Sequence, residues 1–244
     1  MARGVIGSPE WVARTGGALS AWDQVRFAAQ AMRRELRRGP RGHGAVFVAD
    51  RVPPSSMVAQ RIDQHVRNRL PDPLLQHSIR SWLWGCMLAE LDRIEYDEER
   101  LYVAALLHDV GLVDRPGPEA ACFAVHGSRV AREVVVDAGG SDVFAGEVAD
   151  AIAAHFNVEV PLSWGPEAHL LHAGTHLDVV GLRISEIARS TIAEVHAQAP
   201  RDGFMEHFLT AMREEALHRR TSRAAVLWRL GMERSIRRFH NGSW

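Results

Sequence analysis

The sequence predicts an all-α protein, a bundle of roughly nine or ten helices preceded by an irregular N-terminal extension. Apolar residues recur mostly three and four positions apart, which is the spacing of one face of an α-helix. With 244 residues, of which 46% are hydrophobic, the chain can bury one substantial core or two small ones. We therefore expect one main domain, residues 53–244, and an extension, residues 1–52, that carries one helix and packs on the main domain.

Capping and turn residues divide the chain into its predicted elements. Ser20 begins the first helix, and Ser55 and Ser56 cap the second. The run GAVFVADRVPP, residues 44–54, is the one β-like stretch, and its two prolines turn its end into a loop. The sequence DRPGPE, residues 114–119, is the clearest interior loop. The predicted helices span residues 20–38, 55–70, 74–95, 97–110, 119–138, 142–157, 166–181, 183–198, 203–219 and 222–239.

The composition argues against several classes of partner. The net charge is -1 and the 29 basic residues are spread along the chain, so we expect neither nucleic acid nor an anionic membrane as a partner. No run of about 18 uncharged apolar residues occurs, and the first residues lack the apolar segment of a signal peptide. Cys86 and Cys122 are too few for a disulfide framework or a thiolate zinc site. We expect a soluble, cytoplasmic protein that acts on a small molecule.

The sequence LYVAALLHDVGLVD, residues 101–114, places two polar side chains where the helical pattern requires core residues. Leu101, Ala105 and His108 share one helical face, so His108 points toward the core, and Asp109 follows it in the last turn. A carboxylate among apolar residues costs several kcal/mol unless it is paired or bound to a metal, and imidazole is the commonest metal ligand. A shared cation would satisfy both side chains.

Three further polar residues point inward from other helices. His77 lies on an apolar face of its helix, and His155 continues an apolar stripe of another. Asp178 shares a face with Gly174, whose small size lets a second backbone approach closely. These positions strengthen the interpretation of the His-Asp pair as part of a metal site.

A second histidine stripe, formed by His169, His172 and His176, faces another direction. At about 100° per residue, His169 lies about 180° from Asp178, so the stripe cannot share a metal with that carboxylate. We expect these histidines in solvent or at a contact between subunits of a homo-oligomer.

These motifs resemble those of the HD-domain metal-dependent hydrolases, and within them those of the cyanamide hydratase-like branch. His77, the pair His108 and Asp109, and then Asp178 follow the family's order of a histidine, a His-Asp pair and a distant aspartate. The stretches HSIRSWLWG, LLHDVG, AIAAH and PEAHLLHAGTHLDVVG carry the closer resemblance to the branch. The resemblance extends from about residue 53 to residue 230.

The resemblance implies a helical bundle around one divalent metal ion, held by His77, His108, Asp109 and Asp178. We expect zinc, with iron or manganese as alternatives, and a metal-activated water that adds to a small nitrile-like or amide-like substrate. Asp109 would take the proton of that water, and His155 or His126 would donate a proton to the substrate nitrogen. The candidate substrate-binding residues are Arg80, Trp84, Phe123 and Thr175.

Three alternatives stay open at this point. The stretch CFAVHGSRVARE has Ala124 where the branch resemblance implies a glutamate, and it adds His126. A two-metal HD enzyme would use His126 and His155 for a second metal, with Asp109 as the bridge, and would be a di-iron oxygenase or a phosphoester hydrolase. A nucleotide phosphohydrolase would need cations for its phosphates, and Arg80 is the one basic group that spacing places beside the metal. The third alternative is a binding module without enzymatic activity.

Overall fold

The computed structural model describes residues 5–36, 44–113 and 121–242, and it confirms the all-α class. None of the helices in these ranges is long and apolar enough to cross a membrane. The predicted loop at 114–119 lies outside the described residues. The helices are α1 (Pro9–Thr15), α2 (Ala21–Leu36), α3 (Met57–Arg69), α4 (Asp72–Asp92), α5 (Glu98–Leu107), α6 (Val110–Val113), α7 (Phe123–Asp137), α8 (Asp142–His155), α9 (Pro166–Val180), α10 (Arg189–Gln198), α11 (Phe204–His218), α12 (Arg223–Arg229) and α13 (Met232–His240), with short 3₁₀ turns at Leu162–Trp164 and Ile184–Glu186.

The centre of the bundle is built from α4, α5, α7, α8 and α9. Helix α4 packs along α9, α7 packs along α8, and α5 contacts both α4 and α8. Every residue of α5 from Leu101 to Leu107 is buried, as is most of α4. A helix that is apolar on all sides belongs in the interior of a domain, so these two helices form the middle of the core.

Helices α4 and α9 approach each other closely at Gly174, as its position in the sequence predicts. A Cβ atom on Gly174 would lie 2.3 Å from the carbonyl oxygen of Ser81 and 3.0 Å from the amide nitrogen of Gly85. The missing side chain therefore lets the two backbones touch. This contact holds the Asp178 end of α9 beside the middle of α4.

The N-terminal extension contains two helices, whereas the sequence predicts one and an irregular start. The helix that sequence analysis missed, α1, is capped at its start by Ser8, whose hydroxyl accepts a hydrogen bond from the Trp11 amide. Helix α1 has only seven residues before Gly16, which is too short for a periodic pattern to reveal it. The extension packs on the main domain through a separate hydrophobic cluster formed by Ile6, Trp11, Leu19, Phe27, Val158 and Val226.

Three other predicted elements differ from the structure. The helix predicted at 222–239 is two helices, because Gly231 has a φ of 94° and interrupts the helix between α12 and α13. The helix predicted at 183–198 begins only at Arg189, after a 3₁₀ turn. The β-like run at 44–54 makes a single parallel bridge, between Ala45 and Ile187, and no strand occurs in the described ranges.

Candidate metal centre

His77, His108 and Asp109 come together in the interior of the bundle, and all three are buried. His77 lies in α4, His108 follows the last residue of α5, and Asp109 occupies the junction with the short helix α6. The sequence predicts a helix through residue 110, but α5 ends at Leu107. The chain therefore turns at the His-Asp pair, and the turn leaves both side chains inside the bundle.

Gly111 determines how closely this turn packs against the neighbouring helix α7. A Cβ atom on Gly111 would lie 2.2 Å from the carbonyl oxygen of Phe123 and 2.7 Å from the amide nitrogen of Gly127. Because both neighbours are backbone atoms, they cannot move aside as a flexible side chain would. The backbone contact with α7 thus fixes the position of Asp109, two residues before Gly111.

The three side chains direct their ligand atoms toward one another. His77 Nε2 lies 3.2 Å from His108 Nε2. Asp109 Oδ2 lies 3.6 Å from His77 Nε2 and 3.3 Å from His108 Nε2. Within the part of the chain that the structure describes, this is the one group of three or more metal-ligating side chains whose ligand atoms all lie within 4.8 Å of one another.

Hydrogen bonds at the other ring nitrogens determine which nitrogen can bind a metal. The Nδ1 atoms of His108 and His155 lie 2.7 Å and 2.6 Å from the carbonyl oxygens of Ala105 and Ile152. A carbonyl can only accept, so Nδ1 carries the proton, and Nε2 of the neutral ring keeps its lone pair. Burial lowers the pKa of His77 and lowers the pKa of His155 to about 3, so both rings are neutral. Burial also opposes a charge on His108, but Asp109 outweighs burial and raises the pKa of His108, so that without a metal ion Nε2 of His108 tends to hold a proton that faces the lone pair of His77. A shared cation can take the place of that proton.

Asp109 supplies the negative charge of the cluster. Burial raises the pKa of its carboxyl group, but the positive charge of the adjacent His108 ring outweighs burial and brings the pKa down to about 2. Its Oδ2 atom is buried and accepts no hydrogen bond from the described residues. A buried, ionised oxygen without a hydrogen bond is costly. The site is therefore suited to a divalent metal ion, for which two imidazoles and a carboxylate are typical ligands.

Asp178 contacts Nδ1 of His77, the ring nitrogen that does not face His108. It is not part of the group formed by His77, His108 and Asp109. Its Oδ2 accepts a hydrogen bond of 2.7 Å from His77 Nδ1. Arg80 binds both carboxylate oxygens, at 2.8 Å and 2.9 Å, and Arg201 and Trp84 donate to Oδ1 at 2.7 Å and 3.1 Å. Burial raises the pKa of Asp178, but the guanidinium groups of Arg201 and Arg80 hold it well below its usual range. Asp178 is placed to orient His77, and direct metal binding by Asp178 stays a prediction.

Of the two other histidines expected at the site, the structure brings one to the cluster. His155 Nε2 lies 4.0 Å from Asp109 Oδ1, and the ring is buried. His126 is half-buried in α7, and it is not among the described residues that line the cavity containing the cluster. The roles predicted for His126, as an acid or as a second metal ligand, stay predictions.

The cluster opens into a cavity of about 330 Å³. His77, His108, Asp109 and His155 line one end, and Thr175, a predicted substrate-binding residue, lines the cavity as well. A further part of the lining comes from α2, α12 and α13. Sequence reasoning missed this part of the lining, because its residues carry no motif.

The other three predicted substrate-binding residues, Arg80, Trp84 and Phe123, lie behind the cluster and do not line the cavity. Arg80 and Trp84 donate hydrogen bonds to Asp178, and Phe123 packs edge-on against the His155 ring. Helical spacing identifies the inward face of a helix, but it does not separate residues that line a cavity from residues that support them. Arg201, which sequence analysis also missed, lies in the connection between α10 and α11 and belongs to no motif.

The expectation that the His169 stripe faces solvent or another subunit is wrong for His172, which is buried. His172 Nδ1 lies 2.9 Å from the carbonyl oxygen of His155, and Nε2 lies 2.9 Å from Nη1 of Arg34. The Arg34 side chain, which reaches His172 from α2, thus contacts a position that the sequence analysis expected in solvent or at a subunit contact. His169 and His176 are half-buried.

Comparison with known proteins agrees with this geometry. Residues 74–190 match the family model described as HD domain. The chain is similar to two proteins of Saccharomyces cerevisiae, cyanamide hydratase DDI2 and cyanamide hydratase DDI3. Each is 28% identical to the chain over 167 residues, which cover 67% of the chain and 74% of the relative. The region that matches the HD domain, residues 74–190, contains all three residues of the buried cluster.

Proposed function

The chain belongs to the HD-domain proteins and is distantly related to the cyanamide hydratases, and from this premise we propose that it is a metal-dependent enzyme that adds water to a nitrile-like or amide-like substrate. The observation that carries the proposal is the group of His77, His108 and Asp109 at the end of a cavity large enough for a substrate. We propose zinc as the metal, with iron or manganese as alternatives.

When bound, a divalent metal ion lowers the pKa of a coordinated water toward about 7 and so supplies hydroxide at neutral pH. His77 and His108 would hold the ion through Nε2, and Asp109 through Oδ2, the oxygen that lacks a hydrogen bond. Asp178 keeps the proton of His77 on Nδ1 and thereby leaves Nε2 with its lone pair. The carbonyl of Ala105 does the same for His108.

His155 and Asp109 form the acid–base pair of the proposal. Oδ1 of Asp109 or Nε2 of His155, which lie 4.0 Å apart, would take one proton of the water and pass it to the substrate nitrogen as the new carbon–oxygen bond forms. A nitrile would thereby become an imidic acid, and transfer of the remaining O–H proton to the nitrogen would give the amide, which for cyanamide is urea. Both protons come from the water, so no external proton donor is required.

The alternatives are less well supported. Within the described residues no second group of metal ligands occurs, and His126 does not line the cavity, so no specific observation favours the two-metal enzyme. Arg80 was the basic group that favoured a nucleotide phosphohydrolase, and its guanidinium is bound to Asp178 and to the carbonyl oxygens of Ala199 and Pro200. We therefore retain the hydratase or hydrolase as the proposal.

The experiment combines metal analysis with an assay for conversion of cyanamide to urea. We expect about one metal ion per chain in the purified protein. His108→Ala should lose the metal and the activity together, because it removes a ligand. His155→Ala should keep the metal and lose about 100-fold in turnover, as expected for a missing acid–base group.

The control is His218→Ala, which removes an exposed histidine of α11 and should change neither quantity. Unchanged metal content in His108→Ala would contradict the proposed metal site. Metal-loaded protein that converts no nitrile or amide would contradict the proposed reaction.

A further inference from the structure

The cavity is much larger than the substrate of the two similar yeast enzymes. Cyanamide contains one carbon and two nitrogen atoms and takes roughly the volume of two water molecules, about 60 Å³. The cavity has about 330 Å³, which falls within the range of pockets that enclose drug-sized ligands. A molecule as small as cyanamide would leave most of this space to water.

The part of the cavity lining that comes from α2, α12 and α13 is mostly apolar. Five of its residues are apolar, namely Ala31, Met32, Leu227, Leu230 and Met232, whereas Arg34 of α2 and Ser235 of α13 are polar. Val180, at the end of α9, lines the cavity as well. Water in contact with such a wall gains little from hydrogen bonds, so an apolar group that replaces it binds favourably.

The cavity is continuous from this wall to His108, Asp109 and His155, so a single molecule can contact both ends. Resting on the function proposed above, we infer that the substrate is a nitrile or amide with an apolar body, such as a medium-length alkyl chain or an aromatic ring. Its reactive group lies at the metal cluster, and its body lies against the wall formed by α2, α12 and α13. This wall determines the substrate preference.

A series of straight-chain nitriles tests the inference. We would measure kcat/KM of the zinc-loaded protein for cyanamide, acetonitrile, butyronitrile, hexanenitrile and octanenitrile. Each buried methylene should raise kcat/KM by about fourfold until the cavity is full. The dissociation constants of the same nitriles for the metal-free protein, measured by calorimetry, should fall with chain length in the same proportion.

Two substitutions in α2 test whether the apolar body of the substrate binds beside this helix. Ala31→Phe places a large side chain in the cavity and should flatten the dependence of kcat/KM and of binding on chain length. Ala29→Phe makes the same change on the same helix, at a position that does not line the cavity, and should leave the dependence as it is in the wild type. Circular dichroism and thermal unfolding would establish that both variants are folded.

The calorimetry separates failure of this inference from failure of the proposed function. If cyanamide is converted but neither kcat/KM nor binding increases with chain length, the function stands and the inference is overturned. If no nitrile is converted but binding to the metal-free protein increases with chain length and Ala31→Phe abolishes the increase, the apolar site stands and the proposed reaction fails. An equal effect of Ala29→Phe and Ala31→Phe would also overturn the inference.

Discussion

Replacing Gly174 by alanine tests whether backbone contact between α4 and α9 holds the site together. The added Cβ atom would lie 2.3 Å from the carbonyl oxygen of Ser81, whereas ordinary van der Waals contact begins at 3.4 Å. The two helices must therefore separate by about 1 Å, or one of them must bend. Such overpacking in a core costs about 1–3 kcal/mol, and the upper value applies here because the neighbouring atoms belong to the backbone.

Helix propensity offsets part of this loss of stability. Alanine is favoured over glycine in a helix interior by about 1 kcal/mol. The expected net loss for Gly174→Ala is therefore about 2 kcal/mol, which corresponds to a Tm lower by roughly 4–8 °C for a chain of this size. Because α9 also carries Asp178, the variant should bind zinc more weakly than the wild type.

The matched control is Gly146→Ala in α8, where an added Cβ atom would meet nothing within 4 Å. The free energy of unfolding of this variant should rise by about 1 kcal/mol from helix propensity alone. Urea denaturation of the metal-free proteins, with thermal unfolding as a second probe, gives both values. If Gly174→Ala were as stabilising as Gly146→Ala, the proposed role of the backbone contact would be refuted.

Three further predictions concern single side chains. Asp178→Asn should lower the affinity for zinc by about 10–100-fold, as expected for loss of a group that orients His77; complete loss of binding would instead indicate that Asp178 is itself a ligand. His126→Ala should leave the metal content unchanged, because His126 does not line the cavity, and a fall from two metals to one per chain would reverse this assignment. Burial, assisted by Arg201, lowers the pKa of His196 to about 4, so below about pH 6.5 the unfolded chain takes up a proton that the folded chain does not. The free energy of unfolding should fall as the pH drops from 6.5 to 4, and in denaturant titrations at pH 7 and pH 5 His196→Gln should depend less on pH than the wild type.

The sequence predicted much of the bundle because its helices have strong apolar periodicity and clear capping residues. The bounds of α8 and α9 agree with the predicted ones to within two residues at each end. The break at Gly231 was missed because one glycine inside a periodic pattern is usually tolerated in a helix. Helix α1 was missed because seven residues are too few to show a period.

The sequence predicted the metal site only in part, because a helical pattern predicts which residues are buried and not which of them meet. A histidine or aspartate on an apolar face signals burial, which identified His77, His108, Asp109 and Asp178 as inward-facing. Burial does not determine distance, however, and only the structure separates the three residues that meet from the carboxylate behind them. The two guanidinium groups that surround Asp178 come from distant parts of the chain, so no local pattern contains this arrangement.

The two ends of the cavity come from different parts of the chain. The metal cluster lies within residues 74–190, the region that matches the HD domain, whereas α2, α12 and α13 lie outside it. Mutations in the flanking helices can alter the apolar wall without touching a ligand of the metal. During evolution, related chains can therefore inherit the same reaction chemistry while their flanking helices diverge. If the proposed role of the apolar wall holds, similarity of α2, α12 and α13 among such relatives is a better guide to a shared substrate than similarity of the His-Asp motif.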